Sequence, residues 1–128
     1  MINQAWGDIV SRWPAFITVY DLVSLDNKPF IKDGSIPYTG LKSGIEFKSV
    51  TFSYNEDGIQ ALIDTSFIIP KGKTTAFVGK SGAGKSTVIN LLLRFYDPQG
   101  GGILIDGEPL ENYRIESYRK NIGIVSHV

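Results

Sequence analysis

The stretch GKSGAGKST, residues 79–87, decides the fold of this chain. It fills every fixed position of the pattern G-x-x-x-x-G-K-[ST], a specific signature of a loop that binds nucleotide phosphates. We call it the phosphate loop. Its residues are all candidates for nucleotide contact: Gly79, Lys80, Ser81, Gly82, Ala83, Gly84, Lys85, Ser86 and Thr87.

The flanks of the phosphate loop fit the strand, loop and helix order that the pattern requires. Residues 74–78 are β-branched and apolar, and they predict a buried strand. Residues 86–95 predict a helix whose Asn90 and Arg94 lie on the more hydrated face. Its apolar positions recur at spacings of three and four: Val88, Leu91, Leu92 and Phe95. A helix anchored in this way holds its N-terminus fixed.

This arrangement has a direct chemical meaning. Glycines at 79, 82 and 84 can take positive φ angles and turn backbone N–H groups toward phosphate oxygens, and a helix N-terminus adds partial positive charge. Lys85 can reach the β- and γ-phosphates of a nucleotide as a point charge and stabilise charge in the transition state. Ser86 is placed to ligate Mg²⁺, and Thr87 to donate to the α-phosphate. A nucleotide and Mg²⁺ are therefore the expected ligands.

Composition narrows the class of protein. The 128 residues carry thirteen basic and thirteen acidic side chains, so a broad nucleic-acid-binding surface is not expected. Cysteine is absent, which excludes disulfides and thiolate metal sites. The longest uncharged runs, such as 13–20, have eight residues, far fewer than the roughly 20 of a membrane span. The composition is that of a globular domain.

The chain divides into three predicted parts. In residues 1–25 an amphipathic helical stripe, interrupted by Pro14, repeats apolar residues at spacings of three and four. That stripe packs either on the core of this domain or on a partner or membrane segment. Residues 26–44 have no periodicity and predict a linker. The stripe is formed by Trp6, Ile9, Trp13, Phe16, Tyr20 and Val23.

Residues 45–128 form the third part, with an α/β fold: a partial P-loop NTPase core preceded by an antiparallel β hairpin. Alternation shifts parity near Lys48 and Ser49, which predicts a bulge in the first strand. The segment 55–58 predicts a turn. The second strand alternates at Ile63, Thr65, Phe67 and Ile69. Further along, the sequence predicts a loop at 97–102, a strand at 103–105, a turn at 106–107, a short helix at 115–120 and a buried strand at 122–125.

Several motifs in order give residues 45–127 a specific resemblance to the first half of an ABC transporter nucleotide-binding domain of the exporter type. They are VTFSY (50–54), residues 62–69, Gly72, GKSGAGKST (79–87), LLLRFYDP (91–98), GILIDG (102–107), YR (118–119) and IGIV (122–125).

The resemblance implies further roles. The aromatic residue at the position of Tyr54 stacks on adenine in this family, which suits a π face that binds without reading one base edge. Residues 1–25 resemble the helix that leaves the last membrane span, and 26–44 the linker into the ATPase. The implied partners are membrane-spanning domains and a second nucleotide-binding domain, at the cytoplasmic face of the membrane.

The sequence also departs from the family pattern. His127 stands where the family has a glutamine that ligates Mg²⁺. Because Mg²⁺ prefers oxygen ligands, this favours a terminal solvent-facing histidine over a metal ligand. The segment 103–106 imitates the family's acidic strand, but the turn that follows makes Asp106 a turn former.

The family's LSGGQ signature, catalytic glutamate and switch histidine have no counterpart in these residues. We therefore expect the chain alone to bind Mg·ATP without multiple turnover. Two alternatives stay open. One is a small P-loop kinase, although such kinases usually begin with the phosphate loop. The other is a noncatalytic nucleotide-binding or interaction module, or a gene remnant. A GTPase is less consistent, since no N-K-x-D motif follows the loop.

Overall fold

The computed structural model describes residues 31–55 and 58–125. The elements in these ranges are β1 (Gly44–Phe52), β2 (Leu62–Pro70), α1 (Lys85–Leu92), β3 (Gly100–Ile105), β4 (Glu108–Pro109), a 3₁₀ helix (Leu110–Asn112) and α2 (Ile115–Arg119). The amphipathic helix predicted for residues 1–25 lies outside the described residues. None of the described helices is long and apolar enough to cross a membrane.

The four strands form one antiparallel sheet in the order β2-β1-β3-β4. The predicted hairpin is confirmed as the β1–β2 pair. The predicted bulge is confirmed too, because the register shifts between Phe47 and Val50 and Ser49 has a φ of 49°. At the bulge the Ser49 N–H donates to the hydroxyl of Ser66 over 2.8 Å, so the displaced backbone group keeps a partner.

Glycine lets β3 pair closely with the bulged part of β1. Gly101 has a φ of 68°, and a Cβ there would collide with the carbonyl oxygens of Lys48 and Ser49. Only glycine fits this approach without strain. The predicted loop at 97–102 is therefore too long, since β3 already begins at Gly100.

A second irregularity changes which side chains of β2 are buried. Asp64 has a φ of 42°, and the β1–β2 register shifts between Val50 and Phe52. As a result Leu62 is buried, whereas Ile63 is 68% exposed. The predicted alternation of buried and exposed side chains is wrong at Ile63, because the irregularity moves this side chain to the other face of the sheet.

The core is one cluster of buried side chains to which the sheet and the following helices contribute. α1 supplies Val88 and Leu91, the latter fully buried. The remaining members are Phe47, Val50, Phe52, Leu62, Ile103, Ile105, Leu110 and Tyr118. This packing fixes α1, and with it the phosphate loop, relative to the antiparallel sheet.

Two predicted buried strands are not strands in the structure. Neither 74–78 nor 122–125 forms a β-strand, and the side chains of Val78 and Val125 are 90% and 93% exposed. The physical reason is pairing: within the described residues neither segment has a strand beside it, and unpaired β-prone sequence gains no ladder hydrogen bonds. Phe77 alone of 74–78 is half-buried, where its ring contacts that of Phe67.

Candidate functional site

The phosphate loop has the backbone conformation that its glycines predict. The φ angles are 156° at Gly79, 81° at Gly82 and 79° at Gly84. A Cβ on Gly84 would lie 2.7 Å from the carbonyl oxygen of Ala61, so the loop packs directly on the residue before β2. The predicted positive φ angles are confirmed, and at Gly84 close packing adds a second reason for glycine.

The side chain of Lys85 lies across the phosphate loop. Its ammonium group donates to the carbonyl oxygens of Gly79 at 2.8 Å and Lys80 at 2.6 Å. These contacts occupy two of the three N–H donors of the ammonium group. They hold the positive charge of Lys85 over the loop and leave one donor of the ammonium group for another partner.

The N-terminus of α1 carries no side-chain cap within the described chain. Gly84 is the N-cap in the left-handed conformation, and the first turn contains no acidic residue. The first N–H groups of a helix have no partner inside the helix, and they favour an anion. Before the helix, the Ala83 N–H closes a turn onto the carbonyl of Lys80 at 3.2 Å, with Lys80, Ser81 and Ala83 all exposed. This end of α1 is open to an anionic ligand.

The fold brings Tyr54 to the first turn of α1. Its hydroxyl donates to the hydroxyl of Thr87 over 3.3 Å and accepts from the side-chain amide of Asn90 over 2.9 Å. Tyr54 is 46% exposed, and its ring makes edge contacts with Phe52 and Tyr96. The proposed base platform and the phosphate loop therefore meet in one place.

Two details of this contact were not evident from the sequence. Thr87 is buried, and its hydroxyl already contacts Tyr54, whereas Ser86 beside it is exposed. Asn90 was predicted only as a hydrated helix position, but it binds the Tyr54 hydroxyl. The signal that could have identified Asn90 is its spacing of one helical turn from Thr87.

The C-terminal end of α1 is held by side chains from α2. The Tyr118 hydroxyl donates to the Leu92 carbonyl at 2.8 Å. The Arg119 guanidinium donates to the carbonyls of Leu93 at 2.9 Å and Arg94 at 2.6 Å. These donors satisfy carbonyl groups that have no partner inside the helix. Burial raises the pKa of the Tyr118 hydroxyl, with a smaller contribution from Tyr38, so it remains a donor.

Arg94 was predicted to be hydrated and Phe95 to be buried, and the structure reverses both. Arg94 is 1% exposed, while Phe95 is 48% exposed. The reason is that α1 ends at Leu92 and Arg94 has a φ of 54°, so the helical periodicity stops before these residues. The Arg94 guanidinium donates to the Asp97 carboxylate at 3.1 Å and to the carbonyls of Tyr113 and Lys32 at 3.1 and 2.6 Å.

Asp106 lies in a turn, with a φ of 55°. Its carboxylate accepts hydrogen bonds from the N–H groups of Lys42, Ser43 and Gly44 and from the Ser43 hydroxyl. The bond from the Ser43 N–H, supported by the others, lowers the pKa of Asp106 well below its usual range. These bonds tie the predicted linker to the β3–β4 turn, as expected of a turn former.

His127 lies outside the described residues, so its assignment as a terminal solvent-facing histidine rather than a metal ligand stays a prediction. Within residues 31–55 and 58–125 there is no cluster of three or more histidine, cysteine or carboxylate side chains that could hold a metal ion. Ser86, whose hydroxyl the sequence predicts as a ligand of Mg²⁺, is exposed in the first turn of α1.

Comparison with known proteins gives a family match and two similar curated proteins, followed by one similar structure. The family model described as ABC transporter matches residues 62–128. The chain is 42% identical, over 108 residues, to the heterocyst differentiation ATP-binding protein HepA of a Nostoc species, covering 84% of this chain and 18% of that protein. It is also 42% identical, over 125 residues, to the ATP-dependent lipid A-core flippase of Aliivibrio fischeri, covering 98% of this chain and 21% of the flippase.

A solved structure, that of a bacterial Atm1-family ABC exporter with ATP bound, is similar with a TM-score of 0.67 and 32% identity. The match covers 93% of this chain and 21% of the exporter chain. This chain thus spans about a fifth of the length of the curated relatives that it matches.

Proposed function

The chain belongs to the ABC transporter family, and from this premise we propose that it binds Mg·ATP as part of an exporter's ATP-binding domain. The proposal rests on one observation: the phosphate loop and Tyr54 lie together at the N-terminal end of α1. The uncapped N-terminus of α1 carries the phosphate loop, and Tyr54 contacts Thr87 in its first turn. One ligand can therefore reach both, with its phosphates on the loop and its base on the ring.

The phosphate loop holds the phosphates through backbone and side-chain donors. The positive φ angles at Gly82 and Gly84 support a concave arrangement of N–H groups at the helix start. The ammonium group of Lys85 is already held over the loop by two carbonyls, so little side-chain ordering is needed when a phosphate binds. The same charge would stabilise the γ-phosphate during transfer.

The metal ion fits the same helix start. Mg²⁺, when bound, would neutralise charge shared between the β- and γ-phosphates. Ser86 would provide the protein oxygen, because its hydroxyl is exposed next to Lys85. A single protein ligand is consistent with Mg²⁺, which usually keeps several waters and binds substrate phosphates.

Tyr54 is the proposed base platform. Stacking on an aromatic ring is tolerant of base identity, so we expect only a modest preference for ATP over GTP. The hydroxyl contacts with Thr87 and Asn90 fix the ring relative to the phosphate loop.

A wider role follows from the length of the relatives, of which this chain matches about a fifth. We propose that the intact protein couples ATP hydrolysis to transport across a membrane, with membrane-spanning domains and a second nucleotide-binding domain as partners. The ATP-binding part would lie at the cytoplasmic face. We further propose that residues 1–25 connect to the last membrane span, that 26–44 form the linker and that 45–128 form the ATP-binding part. The names of the lipid A-core flippase and the Atm1-family exporter support this proposal.

Calorimetric titration of Mg·ATP into the 128-residue chain tests the binding proposal. Lys85→Ala removes the charge over the loop, and we expect the affinity to fall by about tenfold or more, the usual effect of losing a charge-assisted hydrogen bond. Lys120→Ala is the matched control, since Lys120 is an exposed lysine paired with Glu116 on α2. Equal affinities of the two variants would contradict the proposal.

A further inference from the structure

The side-chain amide of Gln99 forms with the backbone of Ser53 the pair of hydrogen bonds that a neighbouring β-strand would form. Its amide oxygen accepts from the Ser53 N–H at 2.6 Å, and its amide N–H donates to the Ser53 carbonyl at 2.8 Å. The Gln99 backbone N–H donates to the carbonyl of Thr51 at 3.0 Å. Since β1 ends at Phe52, the side chain extends the pairing of β1 past the end of the strand.

This pairing completes the set of contacts that fix Ser53. Ser53 is 8% exposed, and its hydroxyl donates to the carbonyl of Asn55 at 2.6 Å. Its backbone N–H and carbonyl are both occupied by the Gln99 amide. A buried backbone whose polar groups all have partners has few alternative conformations. The backbone of Ser53 in turn sets the direction in which the next residue, Tyr54, leaves the strand.

We propose that Gln99 is a positioning residue for the nucleobase platform: its amide holds Ser53 so that Tyr54 presents its ring to the base of a nucleotide. This inference rests on the proposed function. Gln99 acts only through Tyr54 and has no role in holding phosphate. The Tyr54 hydroxyl contacts with Thr87 and Asn90 fix the far end of the side chain, and Gln99 fixes the near end.

The proposal predicts a split between two ligands. ATP carries a base and a triphosphate, whereas inorganic tripolyphosphate carries only the phosphate chain. In Gln99→Ala the affinity for Mg·ATP should fall by roughly fivefold, within the range that base stacking on an aromatic ring provides. The affinity for Mg·tripolyphosphate should stay unchanged, since the phosphate loop is not altered.

The experiment titrates both ligands into the full chain and into four variants. Gln99→Ala removes both hydrogen bonds, and Tyr54→Ala removes the platform. The double variant tests whether they act together, and Gln60→Ala is the matched control, because Gln60 is an exposed glutamine in the loop before β2. Removing Gln99 should have no further effect on ATP affinity once Tyr54 is gone.

Three outcomes would overturn the proposal. The first is an ATP affinity in Gln99→Ala equal to that in Gln60→Ala. The second is an equal loss of affinity for both ligands, which would make Gln99 a general structural residue. The third is an undiminished effect of Gln99→Ala in the Tyr54→Ala background.

Failure of the proposed function would look different, because the unaltered chain would then bind neither ligand, and the inference would fall with it. If Gln99→Ala does not fold, Gln99→Glu takes its place. It keeps the acceptor for the Ser53 N–H but sets an acceptor against the Ser53 carbonyl. The same split between the two ligands is expected for it, and its absence would count against the proposal.

Discussion

The two ends of α1 are built in opposite ways. At the N-terminal end the cap is Gly84, without a side-chain cap or an acidic residue, and the preceding loop is exposed. At the C-terminal end the carbonyls of Leu92, Leu93 and Arg94 all accept side-chain hydrogen bonds from α2. Side chains of the protein satisfy the carbonyl groups at one end, whereas the described structure gives the other end no side-chain cap.

This difference separates stability from binding along a single helix of eight residues. The C-terminal end and the buried face determine where the helix lies. The N-terminal end then holds in a fixed position N–H groups that have no partner inside the helix. A substitution at the C-terminal end should therefore change stability without changing the affinity of the folded protein for Mg·ATP, whereas one at the N-terminal end should also change that affinity.

The largest effect on stability is expected at the C-terminal end. Arg94→Ala should lower the free energy of unfolding by about 3 kcal/mol, because it removes a buried guanidinium with three partners and leaves Asp97 without its ion pair. Urea unfolding measures this change, with Arg114→Ala, an exposed arginine, as the control. The affinity of the folded protein for Mg·ATP should not change. A measurable loss of Mg·ATP affinity in the folded variant would contradict the separation of stability from binding.

An intermediate effect is expected at the N-terminal end. Gly84→Ala places a side chain at a φ of 79° and against the Ala61 carbonyl, so stability should fall by about 1 kcal/mol or more. Here the Mg·ATP affinity should fall as well, since the N–H groups move. Gly72→Ala is the matched control, because Gly72 has a φ of 71° and no neighbour within 4 Å of an added Cβ. Equal ATP affinities in the two variants would show that the loop geometry does not matter for binding.

The smallest effect on stability is expected at Asp106, which belongs to neither end of α1. Its folded pKa is below the usual value, so its carboxylate stabilises the fold fully above about pH 4, and this contribution is lost as the pH falls further. The Tm of the unaltered chain should therefore fall on acidification below about pH 4, and less steeply in Asp106→Asn. Thermal melts from pH 7 to pH 2 test this, with Glu111→Gln as the exposed control. Parallel curves for the unaltered chain and Asp106→Asn would contradict it.

Local patterns predicted much of the fold. The β1–β2 hairpin, its bulge and the short helix α2 follow from alternation, turn residues and spacing, which act over a few residues. The positive φ angles of the phosphate loop follow from its glycines. The base-stacking role of Tyr54 was implied by family resemblance, whereas its contact with α1 and its hydrogen bonds to Thr87 and Asn90 are new in the structure.

The errors have a common physical cause, which is dependence on distant partners. Residues 74–78 have strand propensity, but a strand forms only where another lies beside it. Arg94 is buried because the helix ends two residues earlier and because carbonyls from Lys32 and Tyr113 converge on it. Because Lys32 and Tyr113 are both distant from Arg94 in the sequence, a local pattern around Arg94 cannot reveal these contacts. The pairing of Gln99 with Ser53 spans 46 residues, so local sequence patterns could not predict it either.

The central place of β1 has a consequence for the rate of folding. Its hairpin with β2 closes over a short loop and can form within microseconds. Its pairing with β3, including the contact of Ser53 with Gln99, must instead close a long segment that contains the phosphate loop and α1. That closure has a larger entropic cost, so it should set the overall folding rate. A Gly101→Ala substitution, which adds a side chain where β3 meets the bulge, should therefore slow folding more than Gly72→Ala.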